Sequence, residues 1–303
     1  MAELKPYTPK KDTGRSEITI GRRKVGKGHP VYIVAEVGIN HNGSLDTALA
    51  LIDVAVEAGC DAVKFQKRSP EHCVPELQRG VIRDTPWGTM TYLEYRHLIE
   101  LGAKDYDMID SHCQKRGIVW FASCWDRASV DFMTQYHPAC FKVASACLTD
   151  GDLLKYISVQ GKPIILSTGM STMDEIRKAV SVFDPKKLLI VHTTSDYKGN
   201  PEELNLSMIH TLKNEFGGAI GYSGHEAGTV PTIASVAMGA CYVERHITLD
   251  RGMWGSDHAI SLEPKDLAQM VRDIRLIEQA MGDGVKRVYD SEKISLAKLR
   301  NSY

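Results

Sequence analysis

Along the chain, apolar runs of four to seven residues alternate with amphipathic stretches of about 10–20, the pattern of repeated strand–helix units. Eight runs read as strands: Val31–Val37, Asp61–Gln66, Ile118–Ser123, Cys140–Ser145, Pro163–Thr168, Lys187–His192, Ala219–Ser223 and Cys241–His246. Helices are expected near 45–58, 91–116, 127–136, 151–159, 172–183, 206–215, 228–238 and 264–281. Two of these have readable starts, a capping sequence in Ser171-Thr-Met-Asp174 and a first-turn proline in Glu263-Pro264. Ahead of the first unit, Glu17–Ile20 and Gly21–Val25 read as a short hairpin. Alternating units that close at eight strands predict an α/β fold, a (β/α)8 TIM barrel over residues 17–283, preceded by a flexible lead-in at 1–16 and followed by a tail at 284–303.

Charge narrows the function classes. With 37 Lys+Arg against 38 Asp+Glu in 303 residues, the net charge of −1 lacks the electrostatic surplus that nucleic acid or an anionic membrane surface needs, while leaving room for a local pocket that holds a small anion. The longest apolar stretches, such as Lys162-Pro-Ile-Ile-Leu-Ser167, are strand-sized, far short of the roughly 20 residues of a membrane span. A polar N-terminus without a signal-type apolar region points to the cytoplasm. Seven scattered cysteines without a Cys-x-x-Cys pair fit neither a disulfide framework nor a zinc ribbon.

In such barrels chemistry sits at the C-terminal strand ends, and here every one is polar. In strand order these ends carry Glu36 with Asn40-His41-Asn42, then Lys64, Gln66 and Lys67, then Ser123, then Lys142 and Ser145, then Ser167-Thr-Gly169. The last three carry His192-Thr-Thr-Ser195, Ser223-Gly-His225, and Glu244-Arg-His246 followed by Asp257-His258. Lys64 and Lys142 converging from different strands, with Ser123, Ser145, Ser167 and Ser223 as neutral donors, suit a small multiply charged anion such as a phosphate or carboxylate. The competing reading is that the lysines are simply ion-paired with Glu36 or Glu244. His225 and His246, on adjacent strand ends, could share a divalent cation with water, substrate oxygen or Glu36, or could be a hydrogen-bonded pair. No Gly-x-Gly-x-x-Gly or Walker loop supports nucleotide binding.

Six ordered motifs then give the chain a close resemblance, over residues 18–283, to the barrel domain of the sialic acid synthase family. They are Ile33-Val-Ala-Glu-Val-Gly-Ile-Asn-His-Asn-Gly43, Val63-Lys-Phe-Gln-Lys67, Phe141-Lys-Val-Ala-Ser145, Pro163-Ile-Ile-Leu-Ser-Thr-Gly-Met170, Gly221-Tyr-Ser-Gly-His225, and Glu244-Arg-His-Ile-Thr-Leu-Asp250 with Gly255-Ser-Asp257. The resemblance implies condensation of phosphoenolpyruvate with an aldose, such as N-acetylmannosamine, mannose or a 6-phosphate of either. The product would be a 2-keto-3-deoxy-nonulosonic acid of the sialic acid type, formed with release of phosphate. It also implies phosphoenolpyruvate held by Lys64, Lys142, Ser123, Ser145, Ser167 and Ser223, and Mn²⁺ (or Mg²⁺ or Co²⁺) on His225 and His246. Glu36 and Asp257 would lie at the reacting centre with the two lysines, Gln66, Ser195 and Tyr197 would complete the substrate-binding set, and a homodimer is expected. Alternatives are a synthase making another 3-deoxy-ulosonic acid from a pentose phosphate, a Schiff-base aldolase using Lys64 or Lys142, and a decayed barrel that only binds a sugar or a partner.

Two departures from the family pattern bear on the acceptor. Two positions beyond the Ser of Lys-x-x-Ser, where the family carries an acidic acceptor contact, stands Cys147, so that contact would fall to another residue such as Asp150. Only 14 residues follow Tyr289, so a barrel without the family's usual antifreeze-like domain is expected. The segment Cys73–Arg96, with Arg79, Arg83, Trp87 and Arg96, is the candidate acceptor-facing lid.

Overall fold

The computed structural model describes residues 17–196 and 200–300, so the lead-in 1–16 and the candidate Tyr197 lie outside the described residues. A hairpin, β1 (Glu17–Ile20) and β2 (Arg23–Gly26), precedes the first barrel strand, β3 (Tyr32–Gly38), which leads through α1 (Leu45–Ala58) to β4 (Ala62–Lys67). Two short helices, α2 (Pro70–Cys73) and α3 (Glu76–Arg79), a second hairpin, β5 (Ile82–Thr85) and β6 (Gly88–Thr91), and helices α4 (Tyr92–Ile99) and α5 (Ala103–Arg116) follow before β7 (Val119–Cys124). Regular alternation then resumes: α6 (Arg127–Thr134), β8 (Phe141–Val143), α7 (Gly151–Ser158), β9 (Ile164–Ser167), α8 (Met173–Val180), β10 (Leu188–Thr193), α9 (Met208–Phe216), β11 (Ala219–Gly224), α10 (Val230–Ala237), β12 (Tyr242–His246) and α11 (Pro264–Ala280). A final helix, α12 (Asp290–Leu299), buries none of its residues.

Eight parallel strands close into a barrel in the order β3-β4-β7-β8-β9-β10-β11-β12, and β12 returns to β3 with His246 opposite Glu36. Successive strand residues face opposite sides, and the two faces form two cores. Outward residues such as Ile33, Val63, Trp120, Leu166, Ile190 and Val243 pack under the helices. The inward set, including Tyr32, Val34, Ala62, Phe121, Ile165, Val191 and Tyr242, joins Ile18, Ile20 and Val25 of the first hairpin, which plugs the N-terminal end. The rings of Tyr32 and Tyr242 stack 6.3 Å apart in that floor. Two positions further along each strand the same inward face becomes polar, at Glu36, Lys64, Ser123, Lys142, Ser167, Thr193, Ser223 and Glu244. Side chains that share one barrel layer therefore supply the floor and then the site.

Besides the short helices α2 and α3 and the helix α12 in the expected tail, three features differ from the sequence reading. The helix expected over 91–116 is two helices, broken at Glu100-Leu-Gly102, where the Asp105 carboxylate caps the Gly102 N–H at 2.9 Å. Helix α8 starts one residue later than its capping sequence suggested, with Thr172 and Glu175 making the reciprocal box. Between α3 and α4 lies the unforeseen β5–β6 hairpin, whose residues are mostly exposed and so carry no period-2 apolar signal.

Candidate active site

The C-terminal strand ends enclose a cavity of about 260 Å³. Into it the barrel brings Glu36, Lys64, Gln66, Ser123, Lys142, Ser145, Ser167, Ser195, Ser223, His225 and His246, eleven of the candidates named from sequence. Asp257 is buried beside them, its Oδ2 3.9 Å from His246 Nδ1 and its Oδ1 accepting from Ser256 at 2.6 Å. A wider cleft of about 460 Å³ beside α10 is lined by Ala227, Gly228, Thr229, Arg251 and Ser261 among others and holds none of the strand-end groups, so the chemistry belongs to the smaller cavity.

The two lysines are not free cations. Lys64 Nζ lies 2.8 Å from Glu36 Oε2, donates to Ser123 Oγ at 2.9 Å, and is 3.5 Å from Glu244 Oε1. Lys142 Nζ bonds both oxygens of Glu244 at 3.1 Å, and Glu244 also accepts from Ser223 Oγ at 3.2 Å and the Tyr242 hydroxyl at 2.5 Å. The two lysines are thus ion-paired, as the competing reading has it, and Glu244, named from sequence only as an ion-pair partner, is the hub. Burial alone would raise Glu244, but the Lys142 and Lys64 ammonium groups and the Tyr242 hydroxyl outweigh it and hold the carboxyl well below the ordinary range. Glu36 goes the other way: burial, with the Glu244 charge behind it, outweighs Lys64 and raises it to about 7. Burial also lowers Lys142, whereas Lys64, between two carboxylates, is raised despite burial. Two lysines and two glutamates form a nearly neutral buried quartet in which Glu36 is the member most ready to take up a proton.

Close approach shapes the opposite wall. The Gly169 N–H donates to Ser145 Oγ at 3.1 Å, and a Cβ on Gly169 would sit 2.2 Å from Ser195 Oγ and 2.8 Å from Ser145 Oγ, so only glycine lets these two hydroxyls meet there.

The rings of His225 and His246 lie 5.4 Å apart at their centroids. Burial, reinforced by His246, pushes His225 down to about 4, and burial also lowers His246, so both imidazoles are neutral near pH 7. His225 Nδ1 lies 3.1 Å from the Thr194 carbonyl, which can only accept, so Nδ1 carries the proton and Nε2 keeps its lone pair. A neutral imidazole held by a carbonyl at its other nitrogen is the usual state of a metal-ligating histidine. No group of three His, Cys, Asp or Glu suited to a metal occurs among the described residues. The pair therefore suits an exchangeable cation that completes its shell from water or substrate, not a closed structural site.

Other polar residues near the strand ends point elsewhere. His192 bonds the Leu204 carbonyl at 2.7 Å, and Lys67 bonds Glu100 at 2.7 Å on the outer side. Cys147 is buried, and that burial pushes its thiol up to about 12, so no negative charge stands where the family carries an acidic residue. Asp150 caps α7 through the Leu153 N–H at 3.0 Å. Arg79 bonds the Val74 and Glu71 carbonyls within its own segment, and Arg83 stacks over Tyr92, 4.3 Å from the ring centroid, while Trp87 packs edge-on against Trp254. Sequence reading missed Trp125, which lines the cavity, and Arg68, whose guanidinium lies over the Trp125 ring. Arg68 follows Lys67 directly at the β4 end, a basic pair that was the available signal.

Comparison with known proteins gives consistent relatives. A model of the NeuB family matches residues 51–286. The chain is 37% identical over 285 residues to the N-acetylneuraminate-9-phosphate synthase of Homo sapiens, across 92% of this chain and 79% of that one. It is 35% identical over 277 residues to the N,N'-diacetyllegionaminic acid synthase of Campylobacter jejuni, across 89% and 83% respectively. The crystal structure of the sialic acid synthetase of Leptospira borgpetersenii, in complex with citrate, matches with a TM-score of 0.82 at 34% identity, over 94% of this chain and 96% of that one.

Proposed function

The chain belongs to the NeuB family of sialic-acid-type synthases, and on that premise we propose that it condenses phosphoenolpyruvate with an aldose to give a 2-keto-3-deoxy-nonulosonic acid and inorganic phosphate. The observation that carries this reading is the buried Lys64–Glu36 and Lys142–Glu244 quartet, ringed by the hydroxyls of Ser123, Ser145, Ser167, Ser195 and Ser223 and adjoining two neutral histidines. An anionic substrate entering the quartet competes with the carboxylates for the two ammonium groups. Glu36, already near neutrality, can answer by taking a proton, which frees Lys64 for the incoming phosphate or carboxylate. Glu244 stays ionised and fixes both lysines in place.

In the reaction, C3 of phosphoenolpyruvate bonds to the aldose carbonyl carbon, water oxygen bonds to C2, and the bond from C2 to the bridging oxygen breaks. One proton of the water ends on the new hydroxyl and the other on the departing phosphate. The lysines and serine hydroxyls stabilise the anionic groups, and Glu36 and Asp257 are the carboxylates placed to move those protons. A divalent cation, Mn²⁺ by resemblance with Mg²⁺ or Co²⁺ as substitutes, would be held by His225 and His246 and would supply Lewis-acid polarisation of the aldehyde. The same reading places the reaction in the cytoplasm, on a homodimer. Among the described residues no helix is long and apolar enough to cross a membrane.

The test is phosphate release from phosphoenolpyruvate with Mn²⁺ across N-acetylmannosamine, mannose, their 6-phosphates and arabinose 5-phosphate. Release that requires one of the hexoses is expected. Release only with the pentose phosphate, or none together with a borohydride-trapped pyruvate adduct on Lys142, would replace the reading with the corresponding alternative.

A further inference from the structure

A second buried ion pair, outside the quartet, is built from the chain neighbours of the two histidines. Glu226 comes directly after His225 and Arg245 directly before His246, and each is 1% exposed. Arg245 Nη1 lies 3.1 Å from Glu226 Oε1, and Nη2 donates to the Glu226 main-chain carbonyl at 2.6 Å. The Thr232 hydroxyl, on α10, donates to Glu226 Oε1 at 2.6 Å and lies 3.0 Å from Arg245 Nη1, while the Tyr222 hydroxyl donates to Glu226 Oε2 at 2.9 Å. Nη1 also donates to the Gly228 carbonyl at 2.6 Å. A Cβ on Gly224 would collide with the Glu226 carboxylate, so glycine is what lets that carboxylate fold back towards Tyr222.

None of these groups lines the catalytic cavity, whereas His225 and His246 both do. Tyr222 packs in the outward core and Thr232 belongs to α10, and Arg245 alternates with the inward-facing Glu244 and His246, so the network lies behind the barrel wall. Stability alone does not call for it. A buried ion pair contributes little net stability, and apolar residues of similar volume would often hold the same elements at least as well. What apolar packing lacks is direction. Arg245 bonds the main-chain carbonyls of Glu226 and Gly228 as well as the carboxylate, which sets the course of the chain as it leaves β11 through His225. On the other side the Thr194 carbonyl holds His225 Nδ1 at 3.1 Å. Distances in a metal site hold to within about 0.2 Å, so two rings that share one ion need this kind of alignment.

We propose that Glu226 and Arg245, tied to Thr232 and Tyr222, are positioning residues that set the spacing of the His225 and His246 rings and thereby the affinity of the site for a divalent cation. The inference rests on the proposed reading of the two histidines as cation ligands. Neither Glu226 nor Arg245 reaches the cavity, so both act through the chain and not on the substrates. With two protein nitrogens and the remaining positions left to water or substrate, prealignment of the rings carries more of the affinity than it would in a closed four-ligand site.

Equilibrium dialysis of the intact protein against Mn²⁺ reads the affinity directly, without turnover. The double variant Glu226→Gln, Arg245→Met removes both charges together, so its urea midpoint should stay close to that of the wild type. Its Mn²⁺ affinity should nevertheless fall about 10–100-fold, the range seen when groups that orient metal ligands are removed. Phosphoenolpyruvate affinity, measured in metal-free buffer, should change less than about twofold, because the lysine quartet is untouched. Thr232→Val removes one hydroxyl and leaves the ion pair in place. It should weaken Mn²⁺ several-fold, and it decides the matter alone if the double variant does not fold. Saturating Mn²⁺ should restore most of the turnover lost in either variant, which a general loosening of the barrel would not allow. Wild-type Mn²⁺ affinity in the folded variants would overturn the proposal while leaving the histidines as cation ligands. A wild-type protein that binds no Mn²⁺ would instead remove the cation reading itself, and this inference with it.

Discussion

Replacing Lys142 with methionine is expected to destabilise the fold by about 3–5 kcal/mol as well as to abolish turnover, because the change strands a buried carboxylate that the lysine neutralises. Glu244 is 5% exposed and bonds Lys142 through both oxygens, and after the substitution its nearest remaining cation is Lys64 at 3.5 Å. The double variant Lys142→Met, Glu244→Gln removes both charges together. It should recover most of the lost stability, since replacing a whole buried pair by neutral groups is often close to neutral, yet it should recover no activity. Urea unfolding midpoints of the single and double variants read the difference. A double variant as unstable as the single one would show that the quartet is not held by charge balance.

The second large effect concerns the histidine pair. His225→Ala and His246→Ala should each lower kcat/KM by at least about 10³-fold, the several kcal/mol that loss of Lewis-acid assistance removes. Each should also reduce bound Mn²⁺, read by equilibrium dialysis, while the fold stays intact, because neither ring belongs to the apolar floor under the site. Full activity of the wild-type protein after exhaustive EDTA treatment would remove the metal role and leave the pair as a hydrogen-bonding element.

The barrel was legible because outward strand positions pack under the helices and the deeper inward ones form a packed floor, which turns eight strands into near-continuous apolar runs. The site was legible because that pattern breaks at the same depth on each strand. Where Lys64 and Lys142 find their partners was harder to see. Lys142 and Glu244 are 102 residues apart and meet only because the barrel closes β12 against β3, so chain order names the charges without pairing them. The β5–β6 hairpin has no period-2 signature because Ile82-Arg-Asp-Thr85 and Gly88-Thr-Met-Thr91 are mostly exposed, with Met90 packing only against the small cluster of Ile39, Tyr95 and Ile99. The break at Glu100 escaped for a different reason: α4 and α5 both keep helical periodicity, and the interruption shows only where Glu100 turns to Lys67. Arg68 and Trp125 meet by stacking across two strand ends, a contact with no periodic signature.

The central claim, that this barrel forms a carbon–carbon bond at C3 of phosphoenolpyruvate while water replaces phosphate at C2, is tested most directly by the fate of the bridging oxygen. With phosphoenolpyruvate carrying ¹⁸O at that position, Mn²⁺ and the active aldose, the label should appear in the released phosphate, and release should stop when the aldose is withheld. Label retained in the keto acid, or phosphate released at the same rate without the aldose, would contradict it.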